Sequence, residues 1–327
     1  MDTPSVSIII PVYNAEKYVA EAITSAVNQT YSNKEIIVID DGSTDNSLQI
    51  AKGFESQMVK VYSQQNKGAS TTRNNGLNFA KGDYIQFLDA DDWLSNNKIE
   101  AQINKLACAP GCIGLCGTIY FNDGANPAKL AIKHEWIEEG SNDTVDFITK
   151  LYGGALIGPT YGGMIQPNAW LTPRKIIDKA GNWNEELTLD DDGEFFCRVM
   201  LAAKGIVYAY DGINYYRKHP ASSGNLSAKK DHENLKSALL SNQLKVKHVL
   251  ALSDNPLARL ALSRCLWECC LNSYPKYKVL SKAAEEQARA LAPHYHYNPY
   301  NNGVKKKIAE LFGWKVIRQL QYLKHKS

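Results

Sequence analysis

The segment VSIIIPVYNAEKYVAEAITSAVNQTYSNKEIIVIDDGS, residues 6–43, contains two short apolar runs separated by a helix-like stretch. Residues 6–12 are almost continuously apolar and β-branched, and residues 35–39 repeat this pattern before an acidic turn. Such runs are typical of strands that are buried on both faces of a parallel sheet. Between them, residues 16–29 place apolar side chains at helical spacing. The segment therefore predicts a β-α-β unit of an α/β fold.

The same alternation continues along the chain, with a helix predicted at residues 43–54, a strand at 59–62, a helix at 69–80 and a strand at 84–88. Ligands of such sheets bind at the carboxyl ends of the strands. We therefore expect one crevice to be formed by the loops at 11–14, 40–45, 64–70 and 89–93.

The later part of the chain changes character twice. Between residues 112 and 217, strand-like pieces at 113–121, 163–166 and 205–210 are separated by loops rich in Gly and Trp. From about residue 227, Leu-rich helical patterns follow one another, and NPYNNG (298–303) precedes a basic terminal helix. The sequence predicts one domain at 1–225, with halves at 1–111 and 112–225, and a mainly helical region at 226–327.

The composition is that of an ordinary globular protein, with 44% hydrophobic and 22% charged residues among 327. No apolar run approaches the ~18 residues that span a bilayer, and no signal peptide is recognisable, so we expect a cytoplasmic protein. The formal charge of +3 is too small to indicate a nucleic-acid partner. An odd number of cysteines, seven, favours reduced thiols over a disulfide framework.

Asp89-Ala90-Asp91-Asp92 follows a predicted buried strand, which holds three carboxylates close together. Like charges at short range are costly unless a cation neutralises them or a proton is shared. Acidic oxygen sites favour Mg²⁺ or Mn²⁺, which use one or two protein carboxylates and leave positions for phosphates. The alternative is a solvated, Asp-rich turn.

Two further loops carry candidate binding groups. Asp41, in the Asp-Asp-Gly-Ser turn after the second strand, could accept the N3–H of uracil or a ribose hydroxyl. Lys67 and Arg73 could balance phosphate charge, although turn chemistry and an exposed helix start explain each pattern equally well.

A third acidic cluster spans residues 190–194, Asp-Asp-Asp-Gly-Glu, before an amphipathic helix. Capping explains one or two of these acids, and the rest are more than a helix start requires. A carboxylate whose pKa is raised by its neighbours is a candidate general base. His219, in the loop with Arg217 and Lys218, is a candidate metal ligand or phosphate donor, the alternative being a solvated loop histidine.

In this order the motifs resemble the family 2 inverting glycosyltransferases with the GT-A fold, of the type that builds bacterial cell-surface polysaccharides. The motifs that carry the resemblance are VSIIIPVYN (6–14), VIDDGSTDNS (38–47), NKGASTTRNNGL (66–77), GDYIQFLDADDWL (82–94), DDGEFFCRV (191–199) and YYRKHPASS (215–223). They cover roughly residues 5–225, and the remaining hundred or so residues match no feature of the family.

The resemblance implies a GT-A (Rossmann-like) fold for nucleotide-diphospho-sugars and a role for each matched residue. The nucleotide would contact Pro11, Tyr13, Asn14, Asp41, Arg73, Asp89 and Ala90, with Tyr13 stacking on the base. Asp91 or Asp92, with Asp91 the first choice, would bind Mn²⁺ or Mg²⁺ together with His219. Asp192 would be the catalytic base, although three consecutive aspartates leave Asp191 open as well.

The resemblance further implies a nucleotide-sugar donor, with UDP favoured and dTDP and GDP sugars as the alternatives, and a glycan or lipid-linked glycan acceptor. The reaction would be a single in-line displacement. Residues expected near the donor or acceptor sugar are Gln166, Trp170, Glu194 and Arg217, although Trp170 could equally belong to the core. The alternative is an inactive nucleotide-sugar-binding protein of the same fold, which would be expected to lack the base or the metal acids.

The terminal residues 304–327 carry seven basic side chains and one acid, with apolar residues at helical intervals. This pattern is typical of a helix that lies on an anionic membrane surface. It would make the protein peripheral on the inner face of the cell membrane. Packing against its own domain or against the partner in a homodimer is the alternative.

Overall fold

The computed structural model describes residues 3–127, 130–219, 230–300 and 303–324. The first half contains the strands β1 (Val6–Val12), β2 (Lys34–Asp40), β3 (Val59–Ser63) and β4 (Tyr84–Phe87). Each end lies within one residue of the sequence prediction. The intervening helices are α1 (Val19–Val27), α2 (Ser47–Lys52) and α3 (Ala69–Phe79).

Helices α1 and α2 begin later than predicted because the loops in front of them are bonded to each other. The Thr44 amide donates to Asn14 Oδ1 at 2.8 Å, and the Glu16 amide donates to Asp45 Oδ2 at 3.1 Å. The loops at 11–14 and 40–45 therefore form one connected wall at the end of the sheet.

The second half contains β5 (Trp93–Leu94), α4 (Lys98–Ala107), β6 (Cys112–Asn122), α5 (Thr144–Gly153), β7 (Trp170–Pro173), α6 (Arg174–Ala180), α7 (Asp191–Ala202) and β8 (Gly205–Lys218). The predicted strand at 163–166 is wrong, and β7 lies further along. Gly162 and Gly163 have φ of 96° and 114°, a backbone region that strands do not use.

Among the described residues, one sheet of eight strands has the order β3-β2-β1-β4-β7-β6-β8-β5. Strands β1 to β4 pair in parallel, as predicted, whereas β7 runs antiparallel to both β4 and β6. Strand β8 is parallel to β6 and antiparallel to β5. The carboxyl ends of β1, β2 and β4 therefore lie at one edge.

Strand β1 is buried on both faces, which explains its continuous apolar sequence. Ile9 packs in one hydrophobic cluster with Phe87 and Phe195, while Ile8 and Ile10 pack in another with helices α1 and α4. Apolar side chains on both faces of the central strands hold helices against each side of the sheet.

The C-terminal helices are α8 (His232–Leu250), α9 (Pro256–Ser273), α10 (Lys278–Leu291), α11 (Gly303–Phe312) and α12 (Trp314–Lys324). Val249 of α8 and Leu262 of α9 join the cluster around the sheet, so this region packs directly on the first domain. The predicted boundary between residues 225 and 226 lies outside the described residues.

The basic terminal segment forms two helices where one was predicted. Gly313 has φ of 80° and interrupts the helix, because the left-handed conformation cannot continue it. Trp314 and Ile317 are buried against α9 and α10, whereas Leu311 and Phe312 are exposed. In the described ranges no helix combines the length and the apolar character needed to cross a bilayer.

Candidate active site

A cleft of about 730 Å³ opens at the carboxyl ends of β1, β2 and β4. All four loops expected to form one crevice contribute to its wall. Nine of the predicted site residues line it: Pro11, Tyr13, Asn14, Asp41, Arg73, Asp89, Ala90, Asp91 and His219. Lys17 and Tyr18, which lie in the stretch 16–29 that was predicted to be helical, line it too.

The loop after β1 presents an exposed ring to the cleft. Asn14 adopts a left-handed conformation, with φ of 49°, and its amide donates to Ser43 Oγ at 3.0 Å. Asparagine tolerates this conformation better than most residues. The adjoining Tyr13 is 51% exposed, so its ring is free to stack on a planar ligand.

Asp41 is buried and organises the loop before α3. Its Oδ1 accepts from the Lys67 amide at 2.8 Å and from Gln64 Nε2 at 2.8 Å, and its Oδ2 accepts from the Gly68 amide at 2.9 Å. A carboxylate offers about four acceptor positions. One position on Oδ2 therefore remains for a ligand donor.

Gly42 explains why the acidic turn contains glycine. A Cβ at this position would lie 2.9 Å from the Asn66 amide nitrogen, and the residue has φ of 71°. Both the close approach of the 64–68 loop and the left-handed backbone favour glycine. The turn thus brings Asp41 directly against the loop that it holds.

Arg73 joins the two halves of the site. Its Nη2 lies 2.9 Å from Asp89 Oδ1, its Nη1 lies 3.0 Å from Asp191 Oδ2, and its guanidinium carbon is 4.4 Å from the centre of the Trp183 ring. Burial opposes the positive charge, but Asp89 and Asp191 outweigh it and raise the pKa of Arg73. Burial also disfavours the charged form of Asp89 and raises its pKa, and the positive charge of Arg73 partly offsets this rise.

Asp91 and Asp92 have different environments although they are adjacent. Asp91 points into the cleft, where its Oδ2 lies 2.7 Å from His219 Nε2. Asp92 is buried, and its carboxylate accepts from the Arg217 amide at 2.7 Å and from Asn168 Nδ2 at 2.6 Å. Burial and the charges of Asp91 and Asp89 raise the pKa of Asp92 well above its usual range.

Across the residues that the structure describes, no group of three or more His, Cys, Asp or Glu side chains is placed to hold a metal ion. Asp91 and His219 nevertheless form a pair in the cleft, with a carboxylate oxygen facing an imidazole nitrogen. Two protein ligands suit Mg²⁺ or Mn²⁺ when substrate phosphates supply the remaining oxygens. The hydrogen bond to Asp91 raises the pKa of His219, so an ion would displace this proton.

The acids at the start of α7 lie on the far side of Arg73. Asp192 lines a second cleft, of about 400 Å³, between this helix and helices α8 and α9. Burial, together with Asp191 and Asp190, raises the pKa of Asp192 to about 7. A carboxyl group with such a pKa can take up a proton near neutral pH, which suits a general base.

The four residues expected near the sugar do not line the cleft of about 730 Å³. Glu194 is buried in a two-pronged ion pair with Arg198, at 2.7 and 2.8 Å, and Trp170 stacks on Phe196 in the core. Gln166 is buried and donates to the Tyr120 hydroxyl at 2.9 Å. Only Trp170 reaches the edge of the second cleft.

Arg217 is the fourth of these residues, and it holds the acidic loop 89–92 in place. Its Nε donates to the Asp91 carbonyl at 2.9 Å and its Nη1 to Asp123 at 2.8 Å, while its guanidinium lies over the Tyr18 ring at 4.6 Å. Residues 220–223 of the last sequence motif lie outside the described part of the chain.

The fold and the acidic cleft define a glycosyltransferase of the GT-A type. The family model described as Glycosyl transferase family 2 matches residues 7–169. Glycosyltransferase GlyG of Streptococcus pneumoniae serotype 4 is 46% identical over 229 residues, which are 66% of this chain and 72% of GlyG. The chain therefore belongs to glycosyl transferase family 2, and the predicted family, fold and enzyme class are confirmed.

Some other relatives are matched over shorter regions. An uncharacterized glycosyltransferase of Haemophilus influenzae is 49% identical over 107 residues, which are 32% of this chain and 43% of that protein. In three relatives, this one included, the match spans only 30–63% of the relative's length. Residues 1–349 of S. aureus TarS, in complex with UDP-GlcNAc, share the fold with a TM-score of 0.59 and 19% identity over 91% of this chain and 95% of that chain.

Proposed function

We propose that the protein transfers a sugar from a nucleoside-diphosphate donor, with UDP-sugars favoured, to a hydroxyl group of a glycan or lipid-linked glycan. The observation that carries this proposal is the cleft in which Asp41, Arg73, Asp89, Asp91 and His219 face one volume of about 730 Å³. A volume of this size suits a nucleotide-sugar. The TarS structure with UDP-GlcNAc, which has the same fold, supports this donor class.

The donor would lie with its base at the β1 and β2 loops. Asp41 would accept from uracil N3–H through its remaining acceptor position, and Tyr13 would stack on the base. Pro11 and Asn14 would flank the base, while Asp89 and Ala90 would lie near the ribose. Arg73 is bonded to Asp89 through Nη2 and to Asp191 through Nη1, so we expect it to set the position of Asp89 as well as to face the nucleotide.

Asp91 and His219 would hold Mn²⁺ or Mg²⁺ beside the diphosphate. The bound ion would offset the negative charge that develops on the leaving diphosphate. Asp92 is the less suitable ligand because both of its oxygens already accept hydrogen bonds from Arg217 and Asn168.

Asp192 would act as the base, with the acceptor in the second cleft. Its carboxylate takes the proton of an acceptor hydroxyl while that oxygen forms a bond to the anomeric carbon. The bond from this carbon to the diphosphate oxygen breaks on the opposite face, so the configuration inverts and the nucleoside diphosphate leaves. Asp191 is bound to Arg73 and Ser70, which leaves Asp192 the freer of the two acids.

A panel of nucleotide-sugars tests the proposal, with binding measured by calorimetry and donor hydrolysis measured with and without Mn²⁺. We expect a UDP-sugar to bind in the presence of Mn²⁺, and Asp192→Asn to abolish turnover while UDP affinity is retained. The exposed Asp254→Asn is the matched control. Failure of every donor to bind with metal present contradicts the proposal, and donor binding without any turnover favours an inactive binding protein.

Helices α11 and α12 would contact an anionic membrane that carries a lipid-linked acceptor. Leu311, Phe312 and Leu320 are 62–77% exposed, and Lys305 to Lys307 are exposed beside them. Apolar side chains interleaved with lysines bind anionic lipid surfaces. Flotation with phosphatidylglycerol vesicles tests this role in the variant Lys305→Glu/Lys306→Glu/Lys307→Glu. If the variant floats as well as the wild type does, the membrane role is contradicted. If the molecular mass of the wild-type protein in solution instead rises with its concentration, these helices form a dimer interface.

A further inference from the structure

One face of α8 carries a stripe of polar side chains that are buried although the helix lies outside the matched motifs. The members are Asn234, Ser237, Ser241 and Lys245, which recur at intervals of three and four residues. Residues at this spacing share one face of a helix. Lys245 is only 4% exposed, and lysine is almost never buried to this extent without a partner.

The whole stripe is bonded to residues 188–190, which directly precede α7. Ser237 Oγ accepts from the amides of Thr188 and Leu189 at 2.9 and 3.0 Å. Ser241 Oγ lies 2.9 Å from the Asp190 carbonyl oxygen and 2.8 Å from Asp190 Oδ2. Lys245 Nζ completes the set with an ion pair to the same carboxylate.

Asp190 needs such support because of its backbone. Its φ of 62° and ψ of 27° lie in the left-handed region, which a residue with a Cβ occupies at some energetic cost. The next two residues are Asp191 and Asp192, so the direction in which α7 starts depends on this turn. The α8 stripe therefore reaches the candidate base through one strained residue.

Gly193 allows the lysine to come this close. A Cβ on Gly193 would lie 2.7 Å from Lys245 Nζ and 2.1 Å from Asp190 Oδ1. The glycine of the Asp-Asp-Gly-Glu motif thus leaves room for the ion pair against the first turn of α7. Glycine is therefore required at position 193 by the lack of space for a Cβ, and not by the backbone conformation.

We propose that the buried stripe of α8, with Lys245 as its charged member, is a positioning device that holds Asp192 in place for proton transfer. The inference rests on the proposed function, because it assigns Asp192 as the base. It gives the C-terminal helical region a part in the chemistry. Lys245 touches Asp190 and is a positioning residue, not a catalytic one.

The charges around Asp192 explain why a lysine is used. Asp190 and Asp191 precede it, Arg73 faces it from α3, and Arg264 and Glu268 of α9 line the same cleft. Arg73 forms its ion pairs with Asp89 and Asp191. Lys245 is therefore the cation that offsets the charge of Asp190. Loss of its charge would leave Asp190 to repel the ionised form of Asp192.

The test uses the full chain with Lys245→Met, Ser241→Ala and, as matched control, Lys247→Met on the exposed face of the same helix. Donor hydrolysis with Mn²⁺ gives kcat, KM and the pH profile, and calorimetry gives UDP affinity. We expect kcat to fall about 10- to 100-fold in the first two variants, with KM and UDP affinity unchanged. The acidic limb of the profile should move up by about one pH unit in Lys245→Met only, because Ser241→Ala removes no charge.

Two results overturn the proposal: kinetics equal to the Lys247→Met control, or a loss of kcat that is matched by a loss of UDP affinity. If Lys245→Met does not fold, Ser241→Ala decides between these outcomes, because it removes the hydroxyl that donates to Asp190 and leaves the ion pair. If the wild-type protein neither binds nor hydrolyses any donor, the proposed function is contradicted. If the wild type is active and the variants are unaffected, only the positioning role of α8 is contradicted.

Discussion

Arg73 and Asp191 are separated by 118 residues in sequence, yet Arg73 Nη1 lies 3.0 Å from Asp191 Oδ2. The second nitrogen of the same guanidinium lies 2.9 Å from Asp89, at the end of β4. One buried side chain therefore connects the cleft at the carboxyl ends of the strands to the helix that carries the candidate base. A shift of either acid is expected to be transmitted to the other through this bridge.

Replacement of this bridge should affect both stability and turnover. In Arg73→Met, two carboxylates lose a charged partner, and hydrogen bonds to charged groups are worth about 1.5–3 kcal/mol each. We expect the free energy of unfolding to fall by about 2 kcal/mol, since both acids are partly exposed. Urea denaturation measures this, and donor hydrolysis should fall in parallel. Stability and turnover like those of Arg259→Met, a control on α9, would contradict the bridge.

The pH dependence of turnover should report on Asp192. The base must be ionised to take a proton, and burial with the neighbouring acids raises its pKa to about 7. We therefore expect kcat to rise with pH and to reach a plateau above about pH 8. Steady-state donor hydrolysis with Mn²⁺ between about pH 5 and 9 checks this. A rate that is already constant from about pH 5 upward would exclude Asp192, with this pKa, as the base.

The same group should make the folded state less stable as the pH rises. Its folded-state pKa lies above the unfolded value of about 4, so the folded protein holds a proton that the unfolded chain has released. That contribution is present below about pH 4 and is lost as the pH rises through about 7. Asp192→Asn cannot lose the proton, and its Oδ1 can still accept from the Gly193 amide.

We therefore expect the Tm of Asp192→Asn to exceed that of wild type at about pH 8, with the difference shrinking towards about pH 5. Thermal unfolding by circular dichroism across this range measures the difference. Asp178→Asn, an exposed control on α6, should show a constant offset. A difference that does not depend on pH would contradict the raised pKa of Asp192.

The strands and the convergence of their loops could be predicted because both follow from local pattern. Continuous apolar runs define buried strands, and a parallel sheet brings their carboxyl ends together. The positions of Asp41, Arg73 and Asp91 around one cleft follow from that topology. The roles of these residues in binding remain predictions.

The direction in which a side chain points could not be predicted, because it depends on how the folded chain packs around that side chain. Asp92 is turned into the protein by Arg217, and Lys245 is paired with an acid 55 residues away. Glu194 has the residue type of a site acid, yet the Arg198 beside it on α7 takes both of its oxygens. Helical spacing shows that these two can meet, but not that the pair is buried.

The adjacent acids Asp91 and Asp92 should separate metal binding from stability. Asp91 is 39% exposed in the cleft, so Asp91→Asn should weaken Mn²⁺-dependent UDP binding about tenfold or more and leave the Tm unchanged. Asp92→Ala leaves the buried Arg217 amide and Asn168 side chain unpaired, at a cost of about 1–3 kcal/mol for each group. Calorimetry with and without Mn²⁺ and urea denaturation measure the two effects, with Asp254→Asn as the surface control. If both variants lose metal-dependent UDP affinity equally, Asp92 also reaches the ion. If Asp92→Ala is also as stable as the wild type, the buried hydrogen bonds of Asp92 are not maintained in solution.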